Sequence, residues 1–390
     1  MLSPTATTAL RIAFFYGAIF GSVGIFLPYW PVWLESRGLS PVEIGLIIGA
    51  SFWPRVVTSL VVPNLADRLG RRRLAMTLST ALTLVGLLAF AWVSDFWLFM
   101  LLSLLTGATW SCILPLADAI SLERIAKSGL DYGRIRLWGS ITFILMSIVG
   151  GFALERAGAP MIFVLLIGTT ALTLIACLTM PDSAGSPAGS GSTNLRRLFG
   201  RKDLWILVIA SSLIQTSHTL LYNFGSIHWR AAGHNETIIG WLWAEGVIAE
   251  VLFFFLSARL IKRFSLPKLL MIAGLLTAGR WILNGLSASL PLLVFTQALH
   301  AASFALTFLV TLHYLRETTP PELQASAQGF YAAIGFAPLS GLISLVSGWL
   351  YGAAGGQAFF AMAAMAMLGT ALALALPAAT KPASTQARAL

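Results

Sequence analysis

The chain has 390 residues, 57% of them hydrophobic and only 10% charged, with a mean hydropathy of +0.82. A typical soluble domain carries about 25% charged residues, so this composition excludes a sizeable water-exposed domain and describes a chain solvated largely by lipid. The formal charge of +10 would suit a polyanionic partner, but the basic residues lie between apolar runs rather than on one surface. They report membrane topology, and no nucleic-acid partner is expected.

A helix needs roughly 20 apolar residues to cross a hydrocarbon core of about 30 Å. Twelve such spans are expected, near 10–33, 42–63, 74–93, 96–121, 135–154, 160–180, 204–226, 238–257, 267–287, 291–314, 326–350 and 357–377. With both termini in the cytoplasm, nineteen of the 25 lysines and arginines fall inside, among them Arg11, Arg68, Arg71, Arg72, Arg73, Arg196, Arg197, Arg201 and Lys202. Only Arg37, Arg156 and Arg230 fall outside, while Arg55, Arg136 and Arg280 sit within spans or at their edges. That asymmetry sets the orientation. The first apolar run is too long for a signal peptide and lacks a small-residue cleavage site, so it reads as the first span. Cys112 and Cys177 stand alone in apolar helices, without metal-ligand spacing, and read as packing residues.

Residues 181–203 form an expected cytoplasmic linker, rich in Gly, Ser, Pro and Ala and then basic. It divides the chain into six-helix bundles at 1–180 and 204–390. The halves echo each other. Gly38, Leu39, Ser40, Ile44 and Gly45 correspond, at a shift of 195 residues, to Gly233, His234, Asn235, Ile239 and Gly240. The stretch 66–72 pairs with 257–263 at a shift of 191, one helical turn different. Duplicated halves suggest a carrier whose substrate site lies at the midplane between repeats and is opened alternately to either side.

Ionisable groups at bilayer depth cost several kcal/mol and mark aqueous cavities or one another. Here they are the acids Asp118, Glu245 and Glu250, the arginines Arg55, Arg136 and Arg280, and His218 and His300. Three charges of each sign leave a formally neutral interior, so one added proton leaves a cation able to accept a monoanion. Helical spacing puts Gln297, His300, Phe304, Thr307 and Thr311 on one stripe, Gln215, His218 and Tyr222 on another, and Trp110, Leu114 and Asp118 on a third. Glu245 lies about 140° around its helix from Glu250.

The segment Asp67-Arg68-Leu69-Gly70-Arg71-Arg72-Arg73 resembles the cytoplasmic loop signature of the major facilitator superfamily, with Pro63 where that signature usually has Gly. Further residues extend the resemblance. Gly24 to Leu34 is similar to the first span of both the proton-coupled lactose permease relatives and the bacterial phenylpropionate permeases. Asp131 to Ser140, Trp229 with Ala231-Ala232-Gly233, and Gly246 to Val251 most resemble the bacterial phenylpropionate permeases. The resemblance implies an all-α membrane fold of twelve helices in two pseudo-symmetric bundles. It implies that Asp118 and Arg136 contact substrate, and that Arg280 and His300 belong to proton coupling. Val247 stands where lactose permease has its coupling acid, with Glu250 one turn later, and Ser303 replaces a second acid. Arg55 matches a phenylpropionate permease arginine, and a guanidinium binds both oxygens of a carboxylate.

The expected function is proton-coupled symport of a small organic solute into the cell, an aromatic carboxylate such as 3-phenylpropionate being favoured. Substrate-binding residues are then Arg55, Asp118, Arg136, Trp30, Trp110, His218 and Tyr222, and coupling residues Glu250, Arg280, His300 and Glu245. Trp53 and Trp138 are further candidate ring-stacking walls. Asp67, Arg68, Gly70 and Arg71 form the loop motif. The alternative is a sugar or nucleoside symporter. An efflux antiporter ranks lower, because Met146-Ser147 precedes Gly150-Gly151 where antiporters show Gly-Pro; a non-transporting sensor is the remaining class. An intramembrane enzyme finds no HExxH or GxSxG, and ATP-driven transport no GxxxxGK. No metal and no cofactor is expected; the proton gradient supplies the energy. The expected protein is a monomer in the bacterial inner membrane.

Overall fold

The computed structural model describes residues 3–181, 198–320 and 323–377, so residues 182–197 of the expected linker lie outside the described residues. Among those described there is no strand. The helices are α1 (Pro4–Ser36), α2 (Pro41–Ala50), α3 (Phe52–Leu69), α4 (Arg72–Ala89), α5 (Phe96–Ser128), α6 (Tyr132–Ala157), α7 (Ala159–Thr179) and α8 (Lys202–Thr216). They continue with α9 (Thr219–Ala231), α10 (Glu236–Arg263), α11 (Leu266–Leu286), α12 (Leu290–Ala298), α13 (Leu306–Thr318), α14 (Gln324–Phe330), α15 (Ala337–Ala354) and α16 (Phe359–Ala373). Eleven stretches of the described residues are long and apolar enough to cross a membrane; the last, Ser326–Ala373, runs 48 residues and holds most of α14 together with α15 and α16. A left-handed glycine, Gly355 with φ 55°, separates α15 from α16.

Local chemistry sets the helix ends. Ser40 and Glu43 form a reciprocal capping box at α2, with Pro41 in its first turn. Asp95 accepts from the backbone N–H groups of Trp97 and Leu98 at the start of α5. Gly70 ends α3 at φ 62°, a conformation that costs a side-chain-bearing residue free energy. Leucines and valines along one edge of α4, Leu74, Leu78, Leu82 and Val85, are about half exposed. Hydrocarbon, not water, is the solvent for that face.

The contacts define two compact units, Met1–Gly189 with Tyr222–Ala244, and Ser190–Leu221 with Glu245–Leu390. In the first, α1 packs on α6 and α7, and α5 on α3 and α4. Its core contains Ile12, Phe15, Ile113, Leu116 and Ile120, and a second aromatic cluster joins Trp30, Trp33, Phe90 and Phe99. The stretch Tyr222–Ala244, which chain order assigns to the later bundle, packs with this unit because Gly240 fits against the Ser147 backbone and Arg230 pairs with Glu35. In the second unit, α11 packs on α13 and α16, and α8 on α16, around Leu204, Leu207, Leu269, Leu270 and Val310.

The span of α2 and α3 is broken at Ser51. Pro54 has no N–H to offer the carbonyl of Ala50, and the backbone of Ser51 lies against Gly107 of α5 so closely that an added Cβ would collide with it. Gly107→Leu is therefore expected to force α5 away from this break and lower stability by about 1–3 kcal/mol. Thermal unfolding of the purified protein in detergent checks this; an unchanged midpoint would contradict the close crossing.

Candidate functional site

The break at Ser51 positions Arg55. Its Nε donates to the Ser51 carbonyl at 3.0 Å and its guanidinium lies 4.6 Å from the Phe52 ring centre. Among the described residues it forms no ion pair with a carboxylate. Arg55 lines a narrow cavity in the first unit together with Phe26, Trp30, Phe90 and Trp110, and with the hydroxyl-bearing Ser51, Thr83, Ser103 and Thr106. The cavity volume is about 40 Å³, room for a few waters. Trp30 presents this wall while held from behind, stacked on Phe26 at 5.7 Å and Trp33 at 4.8 Å. Arg55 thus carries a charge that no side-chain carboxylate among the described residues neutralises, beside aromatic rings.

A second cluster surrounds Asp118, two helical turns beyond Trp110 on α5. The buried Tyr16 hydroxyl donates to Asp118 Oδ1, and Tyr132 donates to the same oxygen at 3.2 Å. Two phenols on one oxygen satisfy an ionised carboxylate and leave Oδ2 available to a ligand donor. Arg136 forms no direct ion pair with Asp118 among the described residues; it lies 3.8 Å over the Phe20 ring and 5.3 Å over that of Tyr16. Tyr16 and Phe20 were not singled out from sequence. Their one-turn separation on a span full of aromatics is the only signal they carry.

In the second unit the ionisable groups meet directly. Arg280, fully buried, donates to His300 Nδ1 at 2.9 Å, to Ser303 Oγ at 3.1 Å and to Gln297 Oε1 at 2.6 Å. His300 Nε2 lies 2.9 Å from Glu250 Oε1. His218 Nε2 lies 3.0 Å from the same Ser303 hydroxyl, and its Nδ1 is 3.1 Å from the Gln215 carbonyl. The result is a continuous chain: Glu250, His300, Arg280, Ser303, His218. Trp281 backs it, 4.7 Å beneath the Arg280 guanidinium and 4.9 Å from the His218 ring. Two backbone irregularities aim these groups. The helix is interrupted between α8 and α9 at Ser217 and His218, and a π-helical segment, Ala301–Ala305, follows His300 directly. Such π segments are frequent at functional sites. The expected i, i+4 stripe on this span omits Ser303, which the widened turn brings between Arg280 and His218.

His218, expected among the substrate-binding residues, meets the Arg280 cluster through Ser303. Tyr222 belongs to the first unit, tilted 6.1 Å from Trp243. Glu245 makes no side-chain hydrogen bond or ion pair among the described residues. Trp53 and Trp138 are half exposed and line no described cavity wall. In the loop motif Asp67 pairs with Arg72, which also reaches Glu123 at 3.1 Å; Arg68 and Arg71 are exposed around the Gly70 turn.

An all-helical chain with buried ionic clusters inside lipid-facing bundles is a membrane carrier. The profile of the MFS_1 like family matches residues 9–362. A "Probable 3-phenylpropionic acid transporter" of Escherichia coli (strain K12) is 32% identical over 361 residues, covering 91% of this chain and 94% of that protein. A "Maltose permease" of Geobacillus stearothermophilus is 28% identical, covering 86% of each chain. Among solved structures, the nucleoside transporter NupG superposes with a TM-score of 0.81 at 18% identity, over 95% of this chain and 98% of its own. The chain belongs to the MFS_1 like family, a branch of the major facilitator superfamily of transporters, and is not an enzyme.

Ser303→Ala removes the hydroxyl shared by Arg280 and His218 and leaves buried polar groups to find new partners. Stability is expected to fall by about 1–3 kcal/mol, with Ser303→Thr recovering most of the loss. Unfolding midpoints of the two variants decide it; equal destabilisation by both would deny the hydroxyl its bridging part.

Proposed function

We propose that the protein is a proton-coupled symporter that imports a small aromatic carboxylate of the arylpropionate type. The observation that carries this reading is Arg55, a guanidinium without a carboxylate partner on a cavity walled by Phe26, Trp30, Phe90 and Trp110. The 32% identity to a protein described as a phenylpropionic acid transporter supports the same solute class. In this reading the chain crosses the inner membrane twelve times, both termini are cytoplasmic, residues 1–180 and 204–390 form two six-helix bundles joined by the linker 181–203, and the carrier works as a monomer.

The coupling step follows from donor and acceptor counting. Arginine only donates, so His300 Nδ1 must accept from Arg280; the ring hydrogen then sits on Nε2 and points at the Glu250 carboxylate. In this arrangement His300 is neutral and Glu250 ionised. A proton delivered to Glu250 removes the charge that holds Nε2–H. An acid O–H directed at Nε2 requires the ring hydrogen on Nδ1, where it cannot coexist with the bond from Arg280. Where the acid turns its O–H to Nε2, Arg280 is released from His300; where it keeps its carbonyl oxygen there, the Nε2–H bond survives in weakened form. In both cases the interior gains the positive charge that a carboxylate solute neutralises. Glu245 remains a second candidate for the coupling proton.

A sugar or nucleoside symporter is the second reading. The open Oδ2 of Asp118 beside Tyr16 and Tyr132 suits solute hydroxyl groups, and the maltose permease relative points the same way. A thermal-shift panel of aromatic acids, sugars and nucleosides on the purified protein, followed by uptake of the hits, separates the two readings.

Two variants test the mechanism. Glu250→Gln keeps an acceptor for His300 but carries no proton, so proton-driven accumulation is lost while solute exchange in proteoliposomes persists; normal accumulation would remove Glu250 from the coupling role. Arg55→Gln is expected to weaken carboxylate binding about tenfold or more, the size of a lost charge-assisted hydrogen bond, with a smaller effect on neutral analogues. Equal weakening of both would count against Arg55 as the carboxylate partner.

A further inference from the structure

The internal repeat contains a pair that solute binding and coupling do not use. At the shift of 195 residues that aligns Gly38 with Gly233 and Gly45 with Gly240, Glu35 falls on Arg230. These repeat-related positions carry opposite charges, and in the first unit they meet. Arg230 Nη2 donates to Glu35 Oε2 at the end of α1, while its Nη1 lies 3.7 Å from Glu236 Oε1 at the start of α10. One residue further, the Thr237 N–H donates to Glu155 near the end of α6 at 3.0 Å. Three carboxylates and one arginine thus tie the hairpin between α9 and α10 to the ends of α1 and α6.

Beneath this rim the backbones are in contact. A Cβ at Gly151 would strike the Glu236 carbonyl, and one at Gly240 would lie 2.6 Å from the Ser147 carbonyl and 2.9 Å from the Tyr29 hydroxyl. The Tyr29 hydroxyl donates to Ser147 O at 2.5 Å, and Ser147 is fully buried. Close packing closes the floor, and the ion pairs close the lip.

We propose that Glu35, Arg230, Glu236 and Glu155 form a reversible ionic latch, which holds the Tyr222–Ala244 segment against α1 and α6 and opens whenever this end of the protein admits solute. In the orientation proposed above, this is the outer end. The magnitudes suit a latch. Arg230 and Glu35 retain 37% and 38% side-chain exposure, and exposed pairs contribute about 0–1 kcal/mol each, screened by salt. A contact of that size yields to modest conformational bias, whereas a dry apolar seal of the same area would not. Arg230 is the keystone, because it alone offsets Glu35 and Glu236 together.

The test is accessibility at Ser147. In a Ser147→Cys background, labelling by a membrane-impermeant maleimide reports opening of the floor, and it needs no knowledge of the solute. Arg230→Glu sets four carboxylates against one another and is expected to speed labelling about tenfold, the equivalent of 1.4 kcal/mol. Adding Glu35→Arg restores one opposite-charge pair and is expected to return most of the protection. Unfolding midpoints measured alongside identify a misfolded variant; in that event Arg230→Gln, compared at low and high salt, carries the test, since the wild type should open faster in high salt and the variant, left with carboxylates whose repulsion salt screens, should open no faster. Unchanged labelling in a folded Arg230→Glu protein, or no rescue by Glu35→Arg, overturns the latch. Either result leaves the proposed solute class standing, because labelling does not depend on it.

Discussion

The decisive constraint is that a guanidinium buried in a membrane bundle must be surrounded by acceptors. Arg280 is fully buried, and leaving its donors to hydrocarbon would cost far more than a folded protein has in reserve. Gln297, His300 and Ser303 take up the Nη1 and Nη2 donors from a single stretch of chain that includes the π-helical turn. Everything distinctive in the second unit follows from this. His300 is held in one tautomer, Glu250 is placed at its far nitrogen, and His218 is drawn in through Ser303.

The first unit handles charge differently. Arg55 is served by a backbone carbonyl and an aromatic face, neither of which neutralises it. Asp118 is served by two phenols, which bind one oxygen and leave its charge in place. One half of the protein therefore keeps a nearly closed hydrogen-bond network, and the other keeps open valences.

Helix breaks do the positioning in both units. Arg55 donates to the Ser51 carbonyl at the break between α2 and α3, and His218, at the interruption between α8 and α9, meets Trp281 and Ser303. In a medium without water a broken helix is tolerated only where protein groups satisfy the freed backbone, so such breaks collect around polar sites.

The amino-acid order by itself determined the membrane location, the family and the roster of intramembrane charges, because hydropathy over twenty residues and the scarcity of charge are local properties that need no neighbours to be read. It also paired Arg280 with His300 and placed Glu250 near them through family resemblance. Tertiary structure alone decided which side chains touch. Tyr16 and Phe20 lie more than a hundred residues from their partners Asp118 and Arg136 and carry no unusual local pattern. Ser303 is moved into the network by a π turn that a regular 3.6-residue period does not anticipate. Tyr222 shares a helical stripe with His218 and yet packs in the first unit beside Trp243, because a stripe fixes which residues share a face of one helix, while the break at His218 and the packing of the other helices fix what that face meets.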